Sequence, residues 1–193
     1  MVREHFSVPS PTAIETELRR IGYKQSYSST FKSTLFTIIT IIAILVLISA
    51  LILPVFRING NSMSPAFNNG ELVATLRRSD VNTGDVIAFY YNNKVLIKRV
   101  VAQGGDKVSL DWYGNLTVNG EKVDEPYVAS KAFGECNIEF PYTVPTGKVF
   151  VMGDLRSVSI DSRNTEVGCV SQEQIIGKVI VRLWPFSKIT VFN

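Results

Sequence analysis

Lys94-Val95-Leu96-Ile97-Lys98-Arg99-Val100-Val101 sets the architecture of this chain. It is a short run rich in β-branched residues, entered from Asn92-Asn93, and such a run behind a turn-forming pair reads as a strand leaving a hairpin. Side chains alternate along a strand, so Leu96, Lys98 and Val100 share one face while Ile97, Arg99 and Val101 share the other. Lys98 therefore stands between two apolar neighbours. Two readings are open at this point: the amine snorkels to water along the apolar surface, or it is buried and held neutral.

The same signature recurs on both sides. Glu71–Leu76, Asp85–Tyr91, Val149–Met152 and Gly177–Trp184 are runs of similar kind, separated by clusters of Gly, Asn and Asp. Asn119-Gly120 marks a second hairpin, between Leu116-Thr117-Val118 and Glu121-Lys122-Val123. The one helical candidate in this half is Ser171–Ile176, where Ser171 is followed three residues later by Gln174 in a capping-box pattern. The pattern predicts a mainly β domain.

Upstream the pattern changes. Leu35 to Phe56 contains no charged residue, and as a helix it would extend ~33 Å against a hydrocarbon core of ~30 Å. A cleaved secretory signal has a shorter apolar region and a small-residue cleavage site, which Leu53-Pro54-Val55-Phe56 does not supply. Residues 34–56 are thus expected to be a transmembrane anchor. Residues 1–33 form a polar head, with Ser10-Pro11-Thr12-Ala13-Ile14-Glu15 as a helix start. Arg3, Arg19, Arg20, Lys24 and Lys32 precede the span, whereas Arg57, Arg77 and Arg78 follow it more sparsely. The positive-inside rule puts the N-terminus in the cytoplasm and residues 57–193 outside, on a single-pass protein of the cell membrane.

With 193 residues, 46% of them hydrophobic, the chain has room for one sizeable domain besides the anchor. The net charge of +3 is small and scattered, with no basic run interleaved with aromatics, so nucleic acid is not an expected partner. Cys136 and Cys169 fall in the external part, where a disulfide is permitted; whether they pair or remain separate thiols is left open. Two cysteines without an external histidine make no zinc site, and no cofactor is expected.

Directly after the span, Asn59-Gly60-Asn61-Ser62-Met63-Ser64-Pro65 places a serine among turn-forming residues. A serine hydroxyl needs a base to take its proton as it attacks a carbonyl carbon. The one histidine, His5, lies on the other side of the span from Ser62. A Ser-His-Asp triad is excluded on that topology, and a desolvated lysine such as Lys98 is the remaining base.

Four stretches resemble the boxes of bacterial type I signal peptidases: Asn61–Pro65, Asn82–Phe89, Ile97–Asp106 and Gly153–Arg163, in the family's order and after one N-terminal span. The resemblance implies a signal-peptidase-like antiparallel β domain on a single transmembrane helix, with a small inserted subdomain at about residues 107–148. It implies that Ser62 is the nucleophile, Lys98 its base, and Ser159 the residue that orients the amine. Asp154, Arg156, Asp161, Arg163 and Arg99 take structural roles near the site. The substrates implied are secreted precursors with small residues at the first and third positions before the cut, met at the membrane lipid surface. Gly60 departs from relatives that carry a serine donor there, so the Ser62 backbone N–H has more to do in holding an oxyanion. Leu155 in place of Asn, and Ser64-Pro65-Ala66 after the nucleophile, suggest a specialised paralogue. Trp184-Pro185-Phe186 and Phe192 have two readings, a seat at the lipid headgroups or closure of the β core.

Two other functions compete. A soluble Ser/Lys autoprotease of the SOS-repressor type shares the chemistry but not the apolar span. A non-catalytic homologue assembling surface structures such as pili is the second, and it has no need to keep Ser62 and Lys98.

Overall fold

The computed structural model describes residues 10–77 and 79–192. His5, Arg3 and Arg78 lie outside the described residues. The chain divides after Ser49 into two compact units.

The first unit is helical. Helix α1 runs Pro11–Ile52. Pro11, whose missing N–H costs nothing in the first turn, follows Ser10, whose hydroxyl accepts from the Ala13 N–H at 3.3 Å. Within α1, Thr30–Ser49 has a mean hydropathy of 2.4 and is the one stretch among the described residues long and apolar enough to cross a membrane. Four of its hydroxyl groups bond locally: Thr34, Thr37, Thr40 and Ser49 each donate to a carbonyl one turn back at 2.9 Å.

The helix ends before Phe56. Pro54 disfavours a helical conformation at the residue preceding it, and Val55–Arg57 leaves the helix to become strand β1, paired with Leu72–Ala74. Apolar composition alone extended the expected helix too far.

The second unit is mainly β. After β1 come β2 (Leu72–Leu76), β3 (Val86–Tyr91), β4 (Lys94–Ala102), β5 (Lys107–Leu110), β6 (Leu116–Val118), β7 (Glu121–Lys122), β8 (Tyr142–Thr143), β9 (Lys148–Met152), β10 (Val170–Ser171), β11 (Ile175–Trp184) and β12 (Thr190–Val191). The larger sheet has the order β1-β2-β11-β3-β4-β9-β10, with β12 on β11; the smaller has β7-β6-β5-β8. Every pairing is antiparallel.

The hairpins form at the expected turns. Asn92 and Asn119 adopt φ of 48° and 54°, and Gly120 follows at 85°, the left-handed conformation that Asn and Gly reach at least cost. The helix expected from Ser171 shrinks to one 3₁₀ turn over Gln172–Gln174, although Ser171 N–H still donates to Gln174 Oε1 at 2.9 Å. Ile175 instead pairs with Phe89 of β3, and sheet pairing claims the residues that would have continued the helix.

Three apolar clusters fill the unit. Ile87, Phe89, Val100, Val149, Val151 and Val170 form one, joined by Leu96. Ile58, Met63, Phe67, Val73, Val86 and Val179 form another, joined by Ile97. The split of Leu96 and Val100 from Ile97 follows the alternation along β4. The third cluster lies with the smaller sheet, around Val101, Val108, Leu110, Leu116, Val144 and Phe150. At the C-terminus the two aromatic readings separate. Phe192 packs against Phe67 with ring centres 4.9 Å apart and planes tilted by 44°, and closes the core, while Trp184 and Phe186 pack edge to face at 4.8 Å and stay exposed.

Candidate active site

Ser62 lies in a turn anchored by its neighbours. Met63 and Phe67 are buried in the cluster beside β2, and Phe67 N–H donates to Met63 O at 2.8 Å. Ser64 N–H donates to Asn61 O at 2.9 Å, and Gly60 N–H to Asn69 Oδ1 at 3.0 Å. The Ser62 side chain is left half-buried.

Strand β4 delivers Lys98 to this turn. Lys98 sits opposite Ile87 in the β3–β4 pairing, and only 4% of it is exposed, which settles the choice between snorkelling and burial. Its Nζ donates to Ser62 Oγ at 2.7 Å. Burial lowers the amine from its ordinary 10.5 to about 8; Asp161 pushes it back up, Arg163 down, and Asp154 up again.

That depression carries a stability consequence. Between about pH 8 and 10.5 the unfolded chain holds a proton at Lys98 that the folded protein has released, so this group makes stability rise with pH across that window. Lys98→Met has no such titration. We expect the stability gap between wild type and Lys98→Met, measured by denaturant unfolding at pH 7.5 and pH 10, to shift by about 2 kcal/mol in favour of wild type at the higher pH.

The loop Gly153–Arg163 closes the site. Leu155 N–H donates to Ser62 O at 3.0 Å, and a Cβ on Gly153 would come within 2.6 Å of the same oxygen. Gly153 N–H donates to Asp161 Oδ2 at 2.9 Å. Arg163, with no exposed surface, donates to both Asp161 oxygens at 2.8 Å and to the carbonyls of Phe133 (2.6 Å), Arg156 (3.0 Å) and Ser159 (3.2 Å). Arg99 grips Asp154 through two bonds of 2.9 and 2.6 Å. Burial raises the Asp154 carboxyl, and the bond from Arg99 opposes that rise.

Ser159 departs from expectation. It is buried at 1% exposure, yet its Oγ has no hydrogen-bond partner among the described residues. The bond to the Lys98 amine that would orient it is not formed; the amine donates to Ser62 instead.

Sequence reasoning missed Glu125 and Tyr127. The Glu125 carboxylate is fully buried against the fully buried Arg156 guanidinium, and the Tyr127 ring lies 4.0 Å below the Arg99 guanidinium. Charge count gives no signal for them, since the motif boxes hold three arginines, Arg99, Arg156 and Arg163, and four acids, Asp85, Asp106, Asp154 and Asp161. In the fold Asp85 pairs with Lys178 at 2.9 Å and Asp106 accepts from the Asn119 side chain at 2.8 Å, so the buried Arg156 takes its partner from outside the boxes. Cys136 and Cys169 are both free thiols.

The arrangement joins a hydroxyl to an amine whose burial makes it a base near neutral pH, on a surface tied together by charge pairs. The chain belongs to the signal peptidase family, peptidase S26, whose match spans residues 31–184. Signal peptidase IB of Staphylococcus aureus (strain N315) is 36% identical over 167 aligned residues, taking in 75% of this chain and 85% of that protein. Signal peptidase I of Bacillus caldolyticus is 36% identical over 151 residues, 69% of this chain and 80% of that protein. A crystal structure of a signal peptidase I from Enterococcus faecalis V583 aligns at 28% identity with a TM-score of 0.45, covering 52% of this chain and 97% of that one.

Proposed function

We propose that this protein is a membrane-anchored serine endopeptidase that removes signal peptides from secreted precursors, with Ser62 as nucleophile and Lys98 as general base. The observation that carries the reading is the 2.7 Å bond between a buried, pKa-depressed amine and a half-exposed serine hydroxyl. Once Lys98 has lost its proton, the bond reverses and the neutral amine accepts from Ser62 O–H. Ser62 Oγ then attacks the scissile carbonyl carbon while its proton passes to Nζ. Collapse of the tetrahedral intermediate breaks the C–N bond, and Lys98 returns the proton to the leaving amine. Water, deprotonated by the same amine, frees the acyl group and restores Ser62.

The Ser62 backbone N–H has no acceptor among the described residues and suits a developing oxyanion, Gly60 having no side chain to share that task. Ser159 is the candidate orienter: its hydroxyl is buried without a partner among the described residues, in the loop that closes on the site, and its bond to the amine would have to form during the reaction. Asp154, Arg156, Asp161, Arg163 and Arg99 hold that loop. The chain is assigned a cytoplasmic segment at 1–33, an anchor from residue 34 to the end of helix α1 at Ile52, and an external catalytic domain from strand β1 onward, with 107–148 as an insert. An apolar helix in the bilayer that also holds the precursor's apolar segment raises the effective concentration of the cleavage site. The assembly-factor alternative gives no reason for a buried lysine to be aimed at a serine.

The test is the pH dependence of precursor-peptide cleavage by the full chain in detergent. Activity requires the neutral amine, so kcat/KM is expected to rise through about pH 8 and to stand at roughly a tenth of its plateau at pH 7. Lys98→Arg, permanently protonated, is expected to be inactive. A profile governed by a group near pH 6.5, or an active Lys98→Arg, sinks the assignment.

A further inference from the structure

The Gly153–Arg163 loop is also gripped from the inserted segment, by residues outside every motif box. Glu125 follows β7, and its carboxylate accepts from Arg156 at both oxygens, Oε1 from Nη2 and Oε2 from Nη1, the latter at 3.3 Å. Arg156 Nε donates to Gly153 O at 3.0 Å, so the pair reaches the glycine that touches Ser62. Tyr127 donates its hydroxyl to Glu125 Oε1 at 3.2 Å and lays its ring under Arg99, the neighbour of Lys98 and the partner of Asp154.

We propose that Glu125, acting with Tyr127, is a positioning residue for cleavage: it fastens the loop bearing Asp154, Ser159 and Asp161 against Lys98 and balances the buried charge around the amine. This rests on the Ser62–Lys98 reading above. Three buried or nearly buried cations, Arg99, Arg156 and Arg163, are matched by three acids, Glu125, Asp154 and Asp161. The charges that Lys98 senses are Asp161, Arg163 and Asp154, and Asp154 in turn senses Arg99, Arg156 and Glu125. A change at Glu125 therefore reaches the amine by two routes, through loop geometry and through net charge.

The signs of those routes separate positioning from mere structural support. Glu125→Gln keeps the side chain's shape but leaves Arg156 a buried cation without a counter-charge. Added positive charge favours the neutral amine, so the acid limb of the pH profile moves to lower pH. Simple loosening of the fold would admit water to Lys98 and move the limb up toward an ordinary lysine.

The experiment measures kcat, KM and the pH profile on a labelled precursor peptide, using full-length Glu125→Gln in detergent with circular dichroism as the folding check. Expected are a plateau kcat lowered about tenfold or more, KM within about twofold of wild type, and a limb at lower pH. A folded Glu125→Gln with wild-type kcat, or with its limb at higher pH, overturns the proposal. If Glu125→Gln does not fold, Tyr127→Leu decides, because it keeps the Glu125–Arg156 pair and removes only the ring beneath Arg99 and one hydroxyl. It is expected to lose roughly fivefold in kcat at unchanged KM, and a wild-type kcat there overturns the proposal. Ser62→Ala runs in parallel. If it still cuts, the Ser62–Lys98 reading fails and takes this proposal with it; if it is dead while Glu125→Gln matches wild type, the positioning proposal alone fails.

Discussion

Replacing Ser62 with alanine is expected to lower the rate of precursor cleavage by about 10⁴-fold or more, and replacing Lys98 with methionine by a similar factor. The amine is joined to the hydroxyl by one hydrogen bond of 2.7 Å, and neither has another partner of matching chemistry among the described residues. The double variant is therefore expected to lose little beyond either single one, because groups that act as a unit are non-additive. Methionine is the better replacement at position 98. It fills the volume of a side chain that is 4% exposed, whereas alanine would leave a cavity and mix a packing defect with the chemical one. Ser62→Ala should leave the fold unchanged. Ser159→Ala is expected to cost less than either, because the Ser159 hydroxyl makes no hydrogen bond to either member of the pair. The measurement is single-turnover cleavage of a labelled precursor at the alkaline plateau. Wild-type cleavage by Ser62→Ala would remove the nucleophile assignment outright.

The largest stability effect is expected at Arg163. Its guanidinium reaches Asp161 and three backbone carbonyls with no surface exposed. Arg163→Met leaves Asp161 as a buried carboxylate without a cation and deprives those carbonyls of a donor. Breaking a buried pair from one side typically costs about 3–5 kcal/mol. For a domain of this size that corresponds to a fall of roughly 10 °C in Tm, measured by thermal unfolding in detergent. Arg163→Lys should recover only part, since one ammonium cannot reproduce a planar fork aimed at several acceptors. Variants that remain folded should also show the acid limb of cleavage at higher pH, because Arg163 is one of the groups holding Lys98 down. A Tm within about 2 °C of wild type would mean that the loop is supported elsewhere.

How much of this was legible in the sequence depends on what each feature rests on. The mainly β character and the hairpins could be read because β-branched runs and the Asn92-Asn93 and Asn119-Gly120 turns are local signals. Strands β1, β5, β8, β10 and β12 carry too few residues for a local signal and exist because a partner strand is there to receive them. Pro54 was in plain view, yet composition outweighed it, and the helix was read to Phe56 although it ends at Ile52. That Ser62 and Lys98 meet followed from the absence of an external histidine and from the order of the boxes. Glu125 and Tyr127 were not found, because they bind to the loop from a segment without a motif. Counting charges gave no clue, because Asp85 and Asp106 balance the third arginine in the sequence and are held by Lys178 and Asn119 in the fold. The unpaired Ser159 hydroxyl depends on ångström-scale placement that no spacing encodes.

The link between the two sides of the site runs through main-chain atoms, and this sets which positions tolerate change. The Leu155 N–H that holds Ser62 O is an atom that every residue except proline possesses. Position 155 is therefore free to drift in side chain without breaking the link. Two residues earlier the situation is inverted, since any side chain at Gly153 would strike Ser159 and the carbonyl of Ser62. Within one short loop, then, the chain holds a site open to almost any substitution beside a site closed to all of them, and variation among descendants of this protein should collect at the first and be missing from the second.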